Sequence, residues 1–159
     1  EFAARALDTG TMEDAYKKMV NCAKAAELAT GATLDFKEPR ASLKAPVAVP
    51  VLAEFMLAKM KAQGLTEKEI KDKVNFGSSD LGNVAHAYPT FNLTFKIAPY
   101  GIAGHSDAMR EAAGSEEGWK ATITAAKIIA SAAYEMLNNP GKVKDIQESF
   151  KEAKAKEGK

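Results

Sequence analysis

Cysteine and histidine are scarce in this chain of 159 residues, which holds one cysteine, Cys22, and two histidines, His86 and His105. A single cysteine excludes an internal disulfide framework and any cysteine-built zinc site. Two imidazoles cap the acid–base or metal chemistry that histidine could run. Net charge is lacking too, at +1 from 22 basic and 21 acidic residues. Such a balance supplies no field that steers a chain to nucleic acid or to an anionic membrane. Long apolar runs are also missing. The most apolar stretch, Ala45 to Met60, is broken by Pro46, Pro50, Glu54 and Lys59, so nothing predicts a bilayer span. An initiator methionine is absent, and Glu1-Phe2-Ala3-Ala4-Arg5 has no basic region leading into an apolar one, as a signal peptide would. Glu-Phe is also what a common cloning-site hexamer encodes, so this end reads as engineered or processed.

What is present is ordinary globular material, with 46% hydrophobic and 27% charged residues. The length suits one compact domain or slightly more. Composition alone predicts a soluble, cytoplasmic protein poor in catalytic groups.

Along the chain, weak alternation from Glu1 to Asp8 predicts a short strand stopped by Thr9-Gly10. Thr11 stands where an N-cap belongs, with Asp14 as the acidic arm of a capping box. Ala15, Tyr16, Met19, Ala23, Ala26 and Leu28 then recur at helical spacing up to Thr30-Gly31. Thr33-Leu34-Asp35-Phe36 reads as a half-buried strand. Lys37 to Pro46, with 39–45 at its centre, reads as a linker. A helix is predicted from near Pro50 to Lys61, stopped by Gly64, and a short charged helix opens at Thr66 and ends before Asn75. Strands are predicted at Val84 to Tyr88 and along Phe91, Leu93, Phe95 and Ile97. Ser115 caps a further helix whose first turn holds Glu116 and Glu117, favourable against the helix dipole. That helix runs to Asn138-Asn139-Pro140, and Val143 to Lys156 forms the last, with Ile146 and Phe150 inward.

Chemistry has two candidate places. Asn75-Phe76-Gly77-Ser78-Ser79-Asp80-Leu81-Gly82-Asn83-Val84 brackets two hydroxyls, a carboxylate and an amide with glycines. Such a loop can present backbone N–H groups and small donors to an anion. It is not a P-loop, since no Gly-Lys-Ser/Thr follows. The plainer reading is a tight turn in which Asp80 and Asn83 bond their own backbone. Gly104-His105-Ser106-Asp107 places an imidazole well for a ligand or acid–base role, against the plainer reading of an exposed loop histidine. His86 reads as a packed strand residue, Cys22 as a small buried hydrophobe, and the tail from Lys151 as a solvated helix face. No Ser–His–Asp or Cys–His order is defensible. A two-metal hydrolase site needs about four to six His, Asp or Glu ligands and a base, more than this chain arranges.

Gly77 to Val84, then Pro89, Gly104-His105-Ser106 and Ala112-Ala113-Gly114-Ser115, resemble the C-terminal part of zinc amidohydrolases and metallopeptidases. The family is that of aminoacylase, carboxypeptidase G and aminobenzoyl-glutamate hydrolase. Its pattern has a Gly-Ser-Thr-Asp-x-Gly-Asn-Val-Ser loop, a proline, a His-Thr turn, an Ala-Gly-Ser and a long Ala-rich helix. A weaker echo reaches back to Met12 through Cys22-Ala23 and Ala29-Thr30-Gly31. The resemblance implies a mixed α/β fold. Residues 1–38 would be the closing strand–helix–strand of an inserted α+β lid, 39–45 a linker, and 46–159 the last part of the catalytic domain.

The resemblance also implies a role for each matched residue. His105 is similar to the last zinc ligand of a two-metal site, in which manganese or cobalt could replace zinc. Gly77, Ser78, Ser79 and Asp80 match a loop that seats the carboxylate end of the substrate. Asn83 shares the motif without a defined role. Ser79 replaces the family's Thr, Ala85 its Ser, and Met109 a common aromatic, which bears on substrate preference. The remaining ligands and the general base of such enzymes lie upstream, in a His-x-Asp and a Glu-Glu pair. The chain is thus expected to be the closing part of an enzyme that hydrolyses an acyl-amino acid, an aminobenzoyl-glutamate or a dipeptide. Alone it is expected to bind metal weakly or not at all and to be inactive. Its expected partners are the missing N-terminal part or a second copy, with no nucleic acid and no membrane. The competing expectation is a short non-catalytic scaffold or interaction module.

Overall fold

A computed structural model describes residues 2–38, 42–66 and 79–157. The charged helix expected beyond Thr66, and Gly77 and Ser78 of the loop, lie outside these. The described residues carry six helices: α1 (Thr9–Thr30), α2 (Pro50–Ala62), α3 (Leu81–Ala85), α4 (Asp107–Ala113), α5 (Glu116–Asn138) and α6 (Pro140–Glu157). None of these helices is long and apolar enough to cross a membrane.

No described residue lies in a strand or bridge, which overturns the mixed α/β expectation; the described fold is all-helical. Residues 33–36 and 91–97 are irregular, not paired. A strand exists only through a neighbour that takes its N–H and C=O groups, and period-2 alternation reports burial, not pairing. Phe91 and Leu93 show this, because both are partly buried against the helical core without any ladder. Val84 and Ala85, expected in a strand, close α3.

The chain divides into two compact units. One comprises the described residues of Glu1–Pro46 and Val74–Ala87, and the other those of Val47–Lys73 and Tyr88–Lys159.

In the first unit α1 starts three residues earlier than the capping box suggested. Asp8 has extended backbone, and its Oδ1 accepts from the Thr11 N–H at 2.8 Å, so Asp8 and not Thr11 is the N-cap. Gly31, at φ 70°, takes the left-handed C-cap and donates its N–H to the Glu27 carbonyl. No residue of α1 is buried, and Leu28, one of the apolar residues that recur there at helical spacing, is exposed. The helix is tied to the following segment by polar and aromatic contacts. The Glu27 carboxylate accepts from the Leu34 N–H at 2.7 Å, the Tyr16 hydroxyl donates to Glu38, and the Tyr16 and Phe36 rings lie 6.3 Å apart.

The second unit has an apolar core of Val49, Leu52, Phe55, Met56, Met60, Ile128, Ala132 and Ile146, with Phe150 packed at its edge. α2 packs on both α5 and α6, and α4 and α6 each pack on α5. Each large side chain buried there contributes about 1.5–3 kcal/mol of transfer free energy. Lys59 of α2 and Glu135 of α5 form an ion pair at 2.5 Å across the helix interface. Pro50 opens α2, where its missing N–H costs nothing. Ser115 caps α5 as expected, its Oγ accepting from the Gly118 N–H at 3.1 Å.

Candidate functional site

The described part of the Gly/Ser/Asp loop belongs to the first unit and turns into the single helical turn of α3. Ser79 and Asp80 are both exposed. The Ser79 hydroxyl accepts from the Leu81 N–H at 3.1 Å, and the Asp80 main-chain carbonyl takes the N–H groups of Asn83 and Val84. The local turn is thus closed by Ser79 and by backbone, while the Asp80 side chain makes no cap hydrogen bond. What remains on the surface is a hydroxyl and a carboxylate side by side, with Ser79 Oγ 3.4 Å from Asp80 Oδ1.

Asn83 is not a turn-former for its own backbone, as the plainer reading had it. Its Oδ1 accepts from the Lys44 N–H at 2.9 Å and its Nδ2 donates to the Ser42 carbonyl at 3.1 Å. One amide thereby replaces the two hydrogen bonds that a neighbouring strand would give to residues 42–44. One turn later, His86 Nε2 sits 3.0 Å from the Ala45 carbonyl. His86 is therefore a half-buried residue at the end of a helical turn and not a strand residue. Gly82 directly precedes Asn83, and a Cβ there would stand 1.8 Å from the Lys44 carbonyl oxygen. Gly82, Asn83 and His86 together fasten residues 42–45 against α3. Sequence inspection missed this clamp, although the spacing of Asn83 and His86, one helical turn apart, was its available signal.

His105 belongs to the second unit and is exposed. It directly precedes Ser106, which caps α4 by accepting from the Met109 N–H at 3.2 Å and donates its own hydroxyl to the Ala103 carbonyl at 2.7 Å. The imidazole is thus presented from the entry of a helix whose cap is filled by its neighbour. Cys22, expected to be buried, is exposed on α1.

Among the described residues no group of three His, Cys, Asp or Glu is placed to hold a metal ion. The resemblance places the other ligands of the zinc pair upstream, so of that set these residues carry His105. Two shallow grooves, of about 360 and 270 Å³, are lined respectively by residues of α5 and by α1 with residues 32–34, and neither includes Ser79, Asp80 or His105.

No family model matches the chain. Over 138 residues it is 28% identical to the Xaa-Arg dipeptidase of Mus musculus, covering 85% of this chain and 32% of that protein. Over 137 residues it is 28% identical to the Xaa-Arg dipeptidase of Homo sapiens, covering 85% of this chain and 31% of that protein. The chain spans about a third of the length of the curated relatives it matches. The likeness is to peptidases, and at this level it reaches no specific activity.

Proposed function

We propose that the chain is part of a metal-dependent amidohydrolase that cleaves an amide or peptide bond next to a free carboxylate. The observation that carries the reading is the likeness to Xaa-Arg dipeptidases over 85% of the chain. The exposed Ser79–Asp80 pair and the helix-entry position of His105 are compatible with it. In this reading residues 1–38 are a lid remnant, 39–45 a connector and 46–159 part of the catalytic domain.

Amide hydrolysis needs an activated water and a group that stabilises the developing oxyanion. The described residues gather neither, so the proposal assigns both to chain outside them. His105 enters as one donor, and Gly77, Ser78, Ser79 and Asp80 as the seat of the substrate carboxylate. Xaa-Arg dipeptides are the first substrates to try. By themselves residues 1–159 are proposed to be inactive.

The test begins by reading the frame upstream of Glu1. The proposal expects an in-frame His-x-Asp and a Glu-Glu pair, and a start codon next to residue 1 would count against it. The protein encoded by the longer frame, supplied with zinc, is then assayed for arginine release from Xaa-Arg dipeptides. His105→Ala should lower kcat/KM by at least about 100-fold. Turnover untouched by that substitution removes His105 from the site, and turnover by residues 1–159 alone overturns the inactivity.

A further inference from the structure

α5 has two apolar faces, and only one of them is covered. Gly118, Ala125, Ile128 and Ala132 are buried on the side that meets the rest of the second unit. On the opposite side Trp119, Ile123, Ala126, Ala130, Tyr134 and Leu137 follow one another at steps of three or four residues, which aligns them in a single stripe. Trp119 is 64%, Ile123 54%, Tyr134 72% and Leu137 83% exposed, and the two alanines between them are exposed as well. Charge is sparse along its middle, where Lys127 is the only charged residue between Ala121 and Tyr134, while Glu116, Lys120 and Lys127 line the groove at its Trp119–Ile123 end. A helix that is apolar on opposite sides is a buried helix. A contiguous row of large apolar side chains on a free surface marks an interaction site.

We infer that this stripe is the face on which the remainder of a longer polypeptide packs. The inference rests on the reading given under Proposed function. What favours this occupant is length: the dipeptidases that match 85% of this chain are about three times as long as the matched region, so about two thirds of such a protein has no counterpart in residues 1–159. The middle of the stripe is made of small residues, Ala126 and Ala130, flanked by Trp119 and Ile123 at one end and Tyr134 and Leu137 at the other. That contour admits close approach of a backbone at its centre and gives large side chains to hold it at both ends. The covering element is apolar, and α5 becomes an interior helix of the full protein.

The test measures accessibility of the stripe in the isolated chain and in the protein of the longer frame. Ile123→Cys is introduced with Cys22→Ser, and maleimide labelling at position 123 is followed by peptide mass spectrometry. Tyr134→Cys serves as a second site in case the first variant does not fold. Both positions should label quickly in residues 1–159 and at least about ten-fold more slowly in the longer protein. Equal labelling in the two proteins overturns the inference while leaving dipeptide hydrolysis by the longer protein intact. Protection in the isolated chain that grows with protein concentration overturns it in favour of a second copy. Protection there that is independent of concentration overturns it in favour of a cover within residues 1–159. A start codon next to residue 1 removes the reading beneath it, a failure the labelling ratio cannot mimic.

Discussion

The two units of this chain are held by different physics. The second unit is stabilised by apolar burial: Leu52, Phe55, Met56, Met60, Ile128, Ala132 and Ile146 share one core between α2, α5 and α6. Among its described residues the first unit buries none of its long helix, and Ala85 is the one buried apolar side chain. In place of a core it has directed contacts: the Asp8 cap, the Glu27 bond to Leu34, the Tyr16 bond to Glu38 and the clamp of Gly82, Asn83 and His86 on residues 42–45. Apolar burial is non-directional and collective, whereas a net hydrogen bond contributes only about 0.5–1.5 kcal/mol and depends on geometry. The contrast predicts that the second unit fails through volume changes, and the first through loss of single polar contacts or of the close approach that allows them.

The largest expected effect tests the core. Ile128 is 1% exposed and is the largest fully buried side chain. Ile128→Ala removes its transfer free energy and leaves a cavity, at a cost of about 2–5 kcal/mol. In urea unfolding the midpoint of the second unit should fall sharply, while amide exchange along α1 stays as it was. A parallel loss of protection in α1 would show that the two units unfold as one.

The next effect tests the clamp. Gly82→Ala places a methyl group 1.8 Å from the Lys44 carbonyl oxygen, a contact that only backbone movement relieves. Overpacking of this kind costs about 1–3 kcal/mol, and here it should separate residues 42–45 from α3. Asn83→Ala deletes the two hydrogen bonds to Lys44 and Ser42 without any clash and should cost about 1 kcal/mol. Exchange of the Lys44 amide reads both variants, and Gly82→Ala should accelerate it more. The reverse order would mean that the amide, not the close approach, holds the segment.

This division also explains what could be read from the residues alone. The helices around Pro50, from Ser115 to Asn138 and through Ile146 and Phe150 were legible because cap residues and periods of three to four are local signals. The inward Phe91 and Leu93 were legible as buried positions, but their alternation could not say that nothing pairs with them. Val84 to Tyr88 alternates as a strand does, yet its conformation is set by Ser79 at one side and by residues 42–45, some forty positions away. The clamp was illegible for the same reason, since its partners are main-chain groups that leave no trace in sequence. Asp8 was passed over as a cap in favour of Thr11, although a carboxylate three residues before that N–H serves equally well. Of the candidate site, the exposure of His105 after Gly104 was legible. The other ligands that the resemblance implies were expected upstream of Glu1, so the described residues do not decide the role of His105.

The smallest effect is a pH dependence confined to the first unit. The Thr11 N–H, followed by the Thr11 hydroxyl, holds the Asp8 carboxyl below its ordinary value of 3.8. A carboxyl depressed on folding adds stability above its unfolded value, and that contribution is lost as pH falls from 3.8 through the lower folded value. The Tyr16 hydroxyl is shifted the other way, raised above 10.0 chiefly because it donates to the Glu38 carboxylate. A group raised on folding contributes fully below its unfolded value, so this contact is present below pH 10.0 and is lost as pH rises through the folded value. α1 is thus fastened by one contact that fails in acid and another that fails in base. Relative to the intrinsic exchange rate at each pH, protection should fall at the start of α1 on acidification and around Tyr16 in base, while the core of α2, α5 and α6 keeps its protection. Asp8→Asn, which still caps but does not titrate, should remove the acid limb at Thr11 and leave the basic limb unchanged. An acid limb that survives Asp8→Asn would place the titrating group elsewhere and leave Asp8 with geometry alone.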